Sequence, residues 1–598
     1  MFQTFTSTSD PTQGPARLVA LRAALTADGL SGFIIPRADA HQGEYVAARD
    51  DRLQWLTGFT GSAGFCIVLP DVSGVFIDGR YRTQVKGQVD LDAFTPVPWP
   101  EMSAGTWIKD HLRDGKLGFD PWLHTADEID KLKRSLEETG VTLCPVNNYV
   151  DFIWPDQPSP PVGRAFAHPL TLAGESSADK RTRLAADLRK AGQRAVVITL
   201  PDSLCWLLNI RGADVPRNPI LHGFAILHDD ARVTVFADAA KFDAETLGHL
   251  GRDVTLSPTD AFVPALHTLH GPVRVDKTTA PLAVSQELES AGVSVAWDDD
   301  PCRLPKACKN PVEIAATREA HLRDGAAIVE FLCWLDARAP QGGLTEIDVV
   351  TAIEGYRAAT NMLHDLSFDT IAGAGPNGAI MHYRVTTDTN RTIAQNELLL
   401  VDSGGQYVDG TTDITRTIVI GDPGDEARIC YTRVLQGLIA ISRVRFPKGR
   451  AGRDLDGLAR YPLWLAGQDY DHGTGHGVGT FLSVHEGPQR LSYTSDVPFE
   501  PGMILSNEPG YYREGHFGIR LENLIVVIPA PPLGDNRVQF AFETLTFAPF
   551  DRRLILADAL SAGDRDWLNA YHAEVRAKLA PRLSAPAARW LISATAPI

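Results

Sequence analysis

A chain of 598 residues is too long for one hydrophobic core and predicts roughly three or four domains. Its 44% hydrophobic and 22% charged residues are those of a soluble globular protein. A formal charge of -17 argues against a nucleic-acid or anionic-membrane surface, while leaving a small cationic or zwitterionic ligand open.

The opening MFQTFTSTSDPTQGP lacks the basic and apolar regions of a secretory signal. No apolar run reaches the roughly 18 to 20 residues needed to span a bilayer, so no membrane partner is expected. Seven cysteines without CxxC spacing, Cys302 and Cys308 being the only near pair, predict reduced thiols in a cytoplasmic protein.

Leu18, Leu21, Leu25 and Leu30 recur at helical spacing, and SGFIIP, GFCIVL and GVFID follow as short buried strands, giving an α/β domain over 1–160. It ends in the proline-rich WPDQPSPPVG, which reads as a semi-rigid linker. Residues 161–309 repeat the plan with helical DKRTRLAADLRKAG and the strands AVVITL and GFAILHDDARVTVFAD. LQWLTGF and GFCIVLPDVSGVFID line up with LCWLLNI and GFAILHDDARVTVFAD, which predicts duplication of a whole domain serving as scaffold or gate.

A third domain, 310–598, opens with the amphipathic helix NPVEIAATREAHLRDGAAIVEFLCWLDA, with Ile314, Ala315, Ile328, Phe331, Leu332 and Leu335 as expected buried positions. GLTEIDVVTAIEGYRAA is a second helix that Thr345 can cap, and the chain returns to helix in an extension from about 540.

Between Leu398 and Asn523 five hard-metal ligands recur in separate strands and turns: Asp402, Asp413, His476, Glu508 and Glu522. Brought to one point, their four carboxylates repel strongly at low dielectric, and two divalent cations cancel that charge. Asp413 shares a strand face with Thr411, Thr415 and Thr417, a polar stripe suited to a cation. The glycines of HGTGHGVG are expected to adopt φ > 0 and to let the backbone approach closely while His472 and His476 project from a loop. FGIRLENLIVVI reads as one strand with Arg520 and Glu522 on the same face, so that Arg520 would orient and ionise Glu522. Oxygen-rich ligands with one imidazole suit manganese, magnesium or cobalt. Ions about 3.5 to 4 Å apart can share a water, lower its pKa and polarise a carbonyl. Glu508 or Glu522 can then take the proton, and His382 or His485 can donate to the developing oxyanion.

The ordered set VDSGGQY, TTDITRT, HGTGHGVG, NEPGYY and RLEN resembles the pita-bread metallopeptidases. PRADAHQGEY, LTGFTGSAG, DGRY, RGADVPRNP and the closing LTFAPFDRRLI and DWLNAYH are similar to the long, three-domain aminopeptidase P form, so the resemblance covers nearly the whole chain. It implies two tandem creatinase-like α/β domains followed by an α+β pita-bread domain. It implies two divalent ions, manganese in this family. Asp402 and Asp413 would bind one, and Asp413, His476, Glu508 and Glu522 would complete the pair. It also implies that His382, His472 and His485 line the site, that Arg520 and Tyr512 support it, and that the protein is a homodimer. The reaction implied is removal of the N-terminal residue from peptides with proline at the second position. An Xaa-Pro bond has no N–H and a restricted preceding residue, and a pocket of His382, His485 and Val484 would accept the pyrrolidine ring. Alternatives are a prolidase confined to Xaa-Pro dipeptides and a non-catalytic protein retaining the shape. A creatinase-like amidinohydrolase needs no such ligand set.

Overall fold

In the computed structural model, residues 2–534 and 536–598 are described, and the chain divides into Thr8–Arg303 and a second unit of Met1–Ser7 with Leu304–Ile598. The first unit holds two six-stranded sheets. One is built from β1 (Gly32–Pro36), β2 (Phe65–Val68), β3 (Ser73–Ile77), β4 (Thr95–Pro98), β5 (Asp114–Phe119) and β6 (Gly140–Pro145), in the order β4-β3-β2-β1-β5-β6. The other is built from β7 (Ala195–Ile198), β8 (Phe224–His228), β9 (Val233–Phe236), β10 (Val254–Ser257), β11 (Val273–Val275) and β12 (Val295–Trp297), in the order β10-β9-β8-β7-β11-β12.

The two orders are the same permutation, and the pairings agree in direction as well. The central strand is antiparallel to the second strand of its copy and parallel to the fifth, in both sheets. The expected duplication is therefore a duplication of topology. Apolar runs such as Phe33, Ile34 and Ile35, or Ala195 to Ile198, are buried on both faces, as mixed sheets covered by helices require. Leu18, Leu21 and Leu25 are buried from the helix Gly14–Ala27, in agreement with their spacing.

The second unit opens with α1 (Pro311–Arg338), whose N-terminus is closed by a capping box of Asn310 and Glu313. Ile328, Phe331, Leu332 and Leu335 are buried, but Ala315 is exposed, because the buried face begins at Glu313 and Thr317 and turns away from it. α2 (Glu346–Ala358) is capped by Thr345 with Asp348. β13 (Ile371–Ala374), β14 (Glu397–Ser403) and β15 (Ile414–Ile420) form an antiparallel sheet in that order. After α3 (Asp425–Arg443) come β16 (Arg445–Pro447), α4 (Gly452–Trp464), β17 (Gly475–Gly477), β18 (Glu486–Leu491) and β19 (Ile504–Asn507). A hairpin of β20 (Gly510–Arg513) and β21 (Phe517–Arg520) precedes β22 (Asn523–Ala530), β23 (Gln539–Thr544) and α5 (Ala562–Leu579). The six-stranded sheet runs β16-β23-β22-β19-β17-β18.

Two expectations are corrected here. The segment read as one strand from Phe517 is two strands broken at Leu521 and Glu522. β21 pairs with β20, whereas β22 pairs with β19, so the backbone must change sheets between them. The first seven residues, assigned by the sequence to the first domain, belong to the second unit. Phe2 N–H donates to Glu354 Oε1 at 2.6 Å, and Gln3 exchanges hydrogen bonds with the backbone of Thr370. No helix among the described residues is long and apolar enough to cross a membrane, and all seven cysteines are free.

A buried ion pair ties the two leading helices to the strand that will matter most. Arg357, fully buried in α2, donates from Nε to Asp324 Oδ1 at 2.7 Å and from Nη2 to Ser403 O at 3.2 Å, and Tyr407 also donates to Asp324 at 2.7 Å. Arg357→Met leaves Asp324 buried without its counter-ion and is expected to cost about 3–5 kcal/mol, read as a lowered urea midpoint. An unchanged midpoint would show that the pair carries no stability.

Candidate active site

The five expected ligands come from separate pieces of the second unit. β14 carries Asp402, the residue ahead of β15 is Asp413, β17 carries His476, Glu508 follows β19, and Glu522 occupies the break between β21 and β22. The structure gathers them. The ligand atoms of Asp413, His476 and Glu522 lie within 4.8 Å of one another. His476 Nε2 is 3.5 Å from Asp413 Oδ2 and 3.5 Å from Glu508 Oε1. Because His476 Nδ1 donates to Gly477 O at 2.9 Å, the lone pair is on Nε2 and faces the carboxylates.

Asp402, Glu508 and Glu522 are each held by a side-chain donor. Arg520 Nη2 donates to Asp402 Oδ2 at 2.6 Å, a charge-assisted bond between buried groups. The expected partner of Arg520 was Glu522. The strand break at Leu521 and Glu522 removes the shared face that expectation relied on. Glu522 Oε2 instead accepts from Thr415 Oγ1 at 2.8 Å, and Thr417 Oγ1 donates to Arg520 O at 3.0 Å, so the polar stripe of β15 serves the site through its threonines. Ser506 was not singled out by the sequence. Its Oγ donates to Glu508 Oε1 at 3.0 Å and accepts from His476 N–H at 2.9 Å, joining two ligands, and its place two positions before Glu508 in LSNEPG was the available signal.

The glycines around His476 let the backbone approach closely, as expected, but do so without the expected positive φ. None of Gly473, Gly475, Gly477 or Gly479 has positive φ. A Cβ on Gly475 would lie 1.9 Å from Ser506 O, and one on Gly477 2.4 Å from Glu486 O. They are needed because β17 is squeezed between β18 and β19, and any side chain would push His476 out of place.

Of the remaining expected residues, His472 and Tyr512 are joined to the ligands in a chain. Arg520 Nη1 donates to Tyr512 OH at 2.7 Å, and Tyr512 OH donates to His472 Nε2 at 2.9 Å, the Nδ1 of His472 being committed to Gly473 O. The ring of His485 stands 4.3 Å from that of His476, edge to face. Val484 is buried beside it, and His382 is half-buried in the turn before Tyr383.

The donor set suits a cation. Asp402 Oδ1 and Asp413 Oδ1 are buried with no hydrogen-bond partner. Burial, then the negative charges of Asp402 and Glu508, hold the Asp413 carboxyl well above the usual range. Burial with Asp413, Glu508 and Asp402 does the same to Glu522. Glu508 is raised too, chiefly by burial, although His476 and Arg520 oppose the shift. Four crowded carboxylates, one of them paired with Arg520 through a single oxygen, fit hard divalent ions.

Comparison with known proteins identifies the family. A Creatinase/Prolidase N-terminal domain model matches residues 17–152 and a second such model matches 156–313. Metallopeptidase family M24 matches 315–529, and the C-terminal region of peptidase M24 matches 539–598. Aminopeptidase P2 of Arabidopsis thaliana is 38% identical over 95% of this chain and 86% of its own length. Aminopeptidase P1 of Lotus japonicus is 36% identical over 95% and 97%. The crystal structure of X-prolyl aminopeptidase from Caenorhabditis elegans, a cytosolic enzyme with a dinuclear active site, superposes with a TM-score of 0.93 at 32% identity, covering 98% of this chain and 99% of that one.

Charge crowding makes a signed prediction. Glu522→Gln removes one of the mutually repelling carboxylates, so the metal-free variant should melt at a higher temperature than the metal-free parent. Added manganese should stabilise the parent by about 2.7 kcal/mol at a free concentration of roughly 100 times Kd, and the same variant should lose that gain. Differential scanning calorimetry with and without manganese checks both signs, and a metal-free variant less stable than its parent would contradict the repulsion.

Proposed function

This chain belongs to the aminopeptidase P group of metallopeptidase family M24, and from that premise we propose that it hydrolyses the bond before a second-position proline, releasing the N-terminal residue. The observation that carries this reading is the convergence of Asp402, Asp413, His476, Glu508 and Glu522, with oxygens left unpartnered in the protein interior. These five residues would hold two divalent ions. Manganese suits a donor set of carboxylate oxygens and one imidazole.

Divalent ions in such a centre supply a water of lowered pKa and Lewis-acid polarisation of the scissile carbonyl. The rest falls to side chains. Glu508, whose carboxyl is pushed up by burial, is placed to take the proton released by the water and pass it to the proline nitrogen as the bond breaks. His485, beside His476, donates to the oxygen on which charge develops. Arg520 keeps Asp402 oriented, and Tyr512 and His472 extend that support along the hydrogen-bonded chain. His382, His485 and apolar Val484 form the wall for the pyrrolidine ring, which brings no N–H to be satisfied.

A homodimer working in the cytoplasm completes the reading. α4 exposes Leu458, Tyr461 and Trp464, and Leu465 follows, at 40%, 59%, 50% and 73% exposure. Their three- and four-residue spacing puts them on one face, an apolar strip of the kind that a second copy covers. Seven free thiols suit a reducing compartment.

With manganese present, Xaa-Pro-Xaa peptides should release their first residue. Turnover confined to Xaa-Pro dipeptides would replace this reading with a prolidase. Glu508→Gln with both ions bound should lose about a hundred- to ten-thousand-fold in kcat. Trp464→Glu should shift the light-scattering mass from dimer to monomer, whereas an unchanged mass would rule that face out as the interface.

A further inference from the structure

Arg416 lies in β15 between Thr415 and Thr417, is 3% exposed, and has partners on two sides. On one side are the segments that carry the acidic ligands. Its Nη1 donates to Thr415 O at 2.9 Å and to Glu522 O at 2.6 Å, and its Nη2 donates to Asn523 Oδ1 at 2.9 Å. On the other side is the C-terminal region. Nε donates to Pro549 O at 3.1 Å, Nη2 donates to Ala548 O at 2.8 Å and Tyr571 OH at 3.1 Å, and the guanidinium carbon sits 4.3 Å from the centre of the Phe550 ring. Tyr571 OH also accepts from Ala548 N–H at 3.2 Å and reaches Asn523 Oδ1 at 3.4 Å, closing the network.

Every acceptor of Arg416 among the described residues is neutral. A buried cation kept for an ion pair would face a carboxylate, and a guanidinium buried without one is costly unless its N–H groups are all used. Here they are used to hold backbone. A planar fork with five donors can bridge two β segments and a loop at fixed spacing, which an ammonium on a flexible stem cannot do. It braces the backbone at Thr415, just past Asp413, against the backbone at Glu522, whose N–H also donates directly to Thr415 O at 3.1 Å.

We infer that Arg416 is a positioning residue through which the C-terminal region sets the separation of Asp413 and Glu522, and so how tightly the divalent ions are held. This rests on the reading of Asp413 and Glu522 as metal ligands. Residues 539–598 are then part of the mounting of the metal centre, although none of the five proposed ligands lies among them.

The test uses the full chain, stripped of metal and titrated with manganese by calorimetry and by electron paramagnetic resonance, which distinguishes isolated from paired ions. Arg416→Lys keeps the charge and loses the span, and Tyr571→Phe keeps the guanidinium and removes one C-terminal acceptor. Arg416→Lys should bind manganese about ten-fold or more weakly, with isolated-ion signal at stoichiometries where the parent shows pairs, and Tyr571→Phe should change both readouts in the same direction by less. Lowered melting temperatures with unaltered affinity and spectrum would overturn the inference, leaving Arg416 a purely structural residue. If Arg416→Lys does not fold, the Tyr571→Phe titration decides alone. A parent chain that takes up no manganese overturns the metal reading itself, and this inference with it.

Discussion

Asp413, Glu508 and Glu522 are buried away from bulk water, and that burial, together with the charges of neighbouring carboxylates that include Asp402, holds each carboxyl above its usual range. A fold that places acidic groups this way is storing an unfavourable interaction, and the storage is stable only because the surrounding structure gives the carboxylates no room to separate. Asp402 has a permanent counter-charge in a direct bond from Arg520, whereas the hydrogen bonds to Glu508 and Glu522 come from the hydroxyls of Ser506 and Thr415. Such a site suits cations, and the rest of the second unit can be understood as what keeps the acids from relaxing.

That constraint explains features with no packing logic of their own. β17 lies so close to Ser506 O and Glu486 O that only glycine fits on either side of His476. Thr415 and Thr417 use their hydroxyls on Glu522 and on the backbone of Arg520, where valine would pack equally well. Glu486, next to His485, is itself fixed by two buried lysines, Lys306 at 2.8 Å and Lys309, and Lys309 N–H also donates to Gly502 O at 3.1 Å. Rigidity is therefore supplied to the site by charged and polar groups as much as by the apolar clusters behind it.

The first unit obeys a different economy. Its two sheets share a topology, yet the residues most distinctive in sequence sit where the structure needs to be joined. Ser62 donates to Glu44 at 2.9 Å and accepts or donates with Tyr81 OH at 2.9 Å, so three separate motifs of the first copy meet in one cluster. His41 Nδ1 donates to Thr199 O at 3.1 Å, and His222 approaches Asp39 at 3.4 Å, linking one copy to the other. Asp214 takes Lys241 at 2.8 Å and His222 N–H at 2.7 Å, holding the RGADVPRNP loop. These motif residues have packing and joining to do, which accounts for their character without chemistry at that place.

Much of this was legible in the amino-acid sequence because it is local. Residue type sufficed to nominate the acids and His476, helical spacing sufficed for Leu18, Leu21 and Leu25, and the alignment of two strand patterns sufficed for a duplication whose strand orders agree. Thr345 and its helix follow from side chains three residues apart. What the sequence could not determine was decided by partners far along the chain. Arg520 and Asp402 are 118 positions apart, and nothing near either one says that they pair rather than Arg520 and Glu522. The break at Leu521 is invisible to a period-two pattern, because it arises when β20 and β19 claim successive stretches of one apolar run. The positive φ expected of the glycines near His476 was likewise replaced by a steric demand from neighbouring strands. Composition and periodicity therefore determined which groups were available and which elements would carry them. Only the tertiary structure decided which groups face each other, because backbone pairing and burial are properties of distant segments brought together.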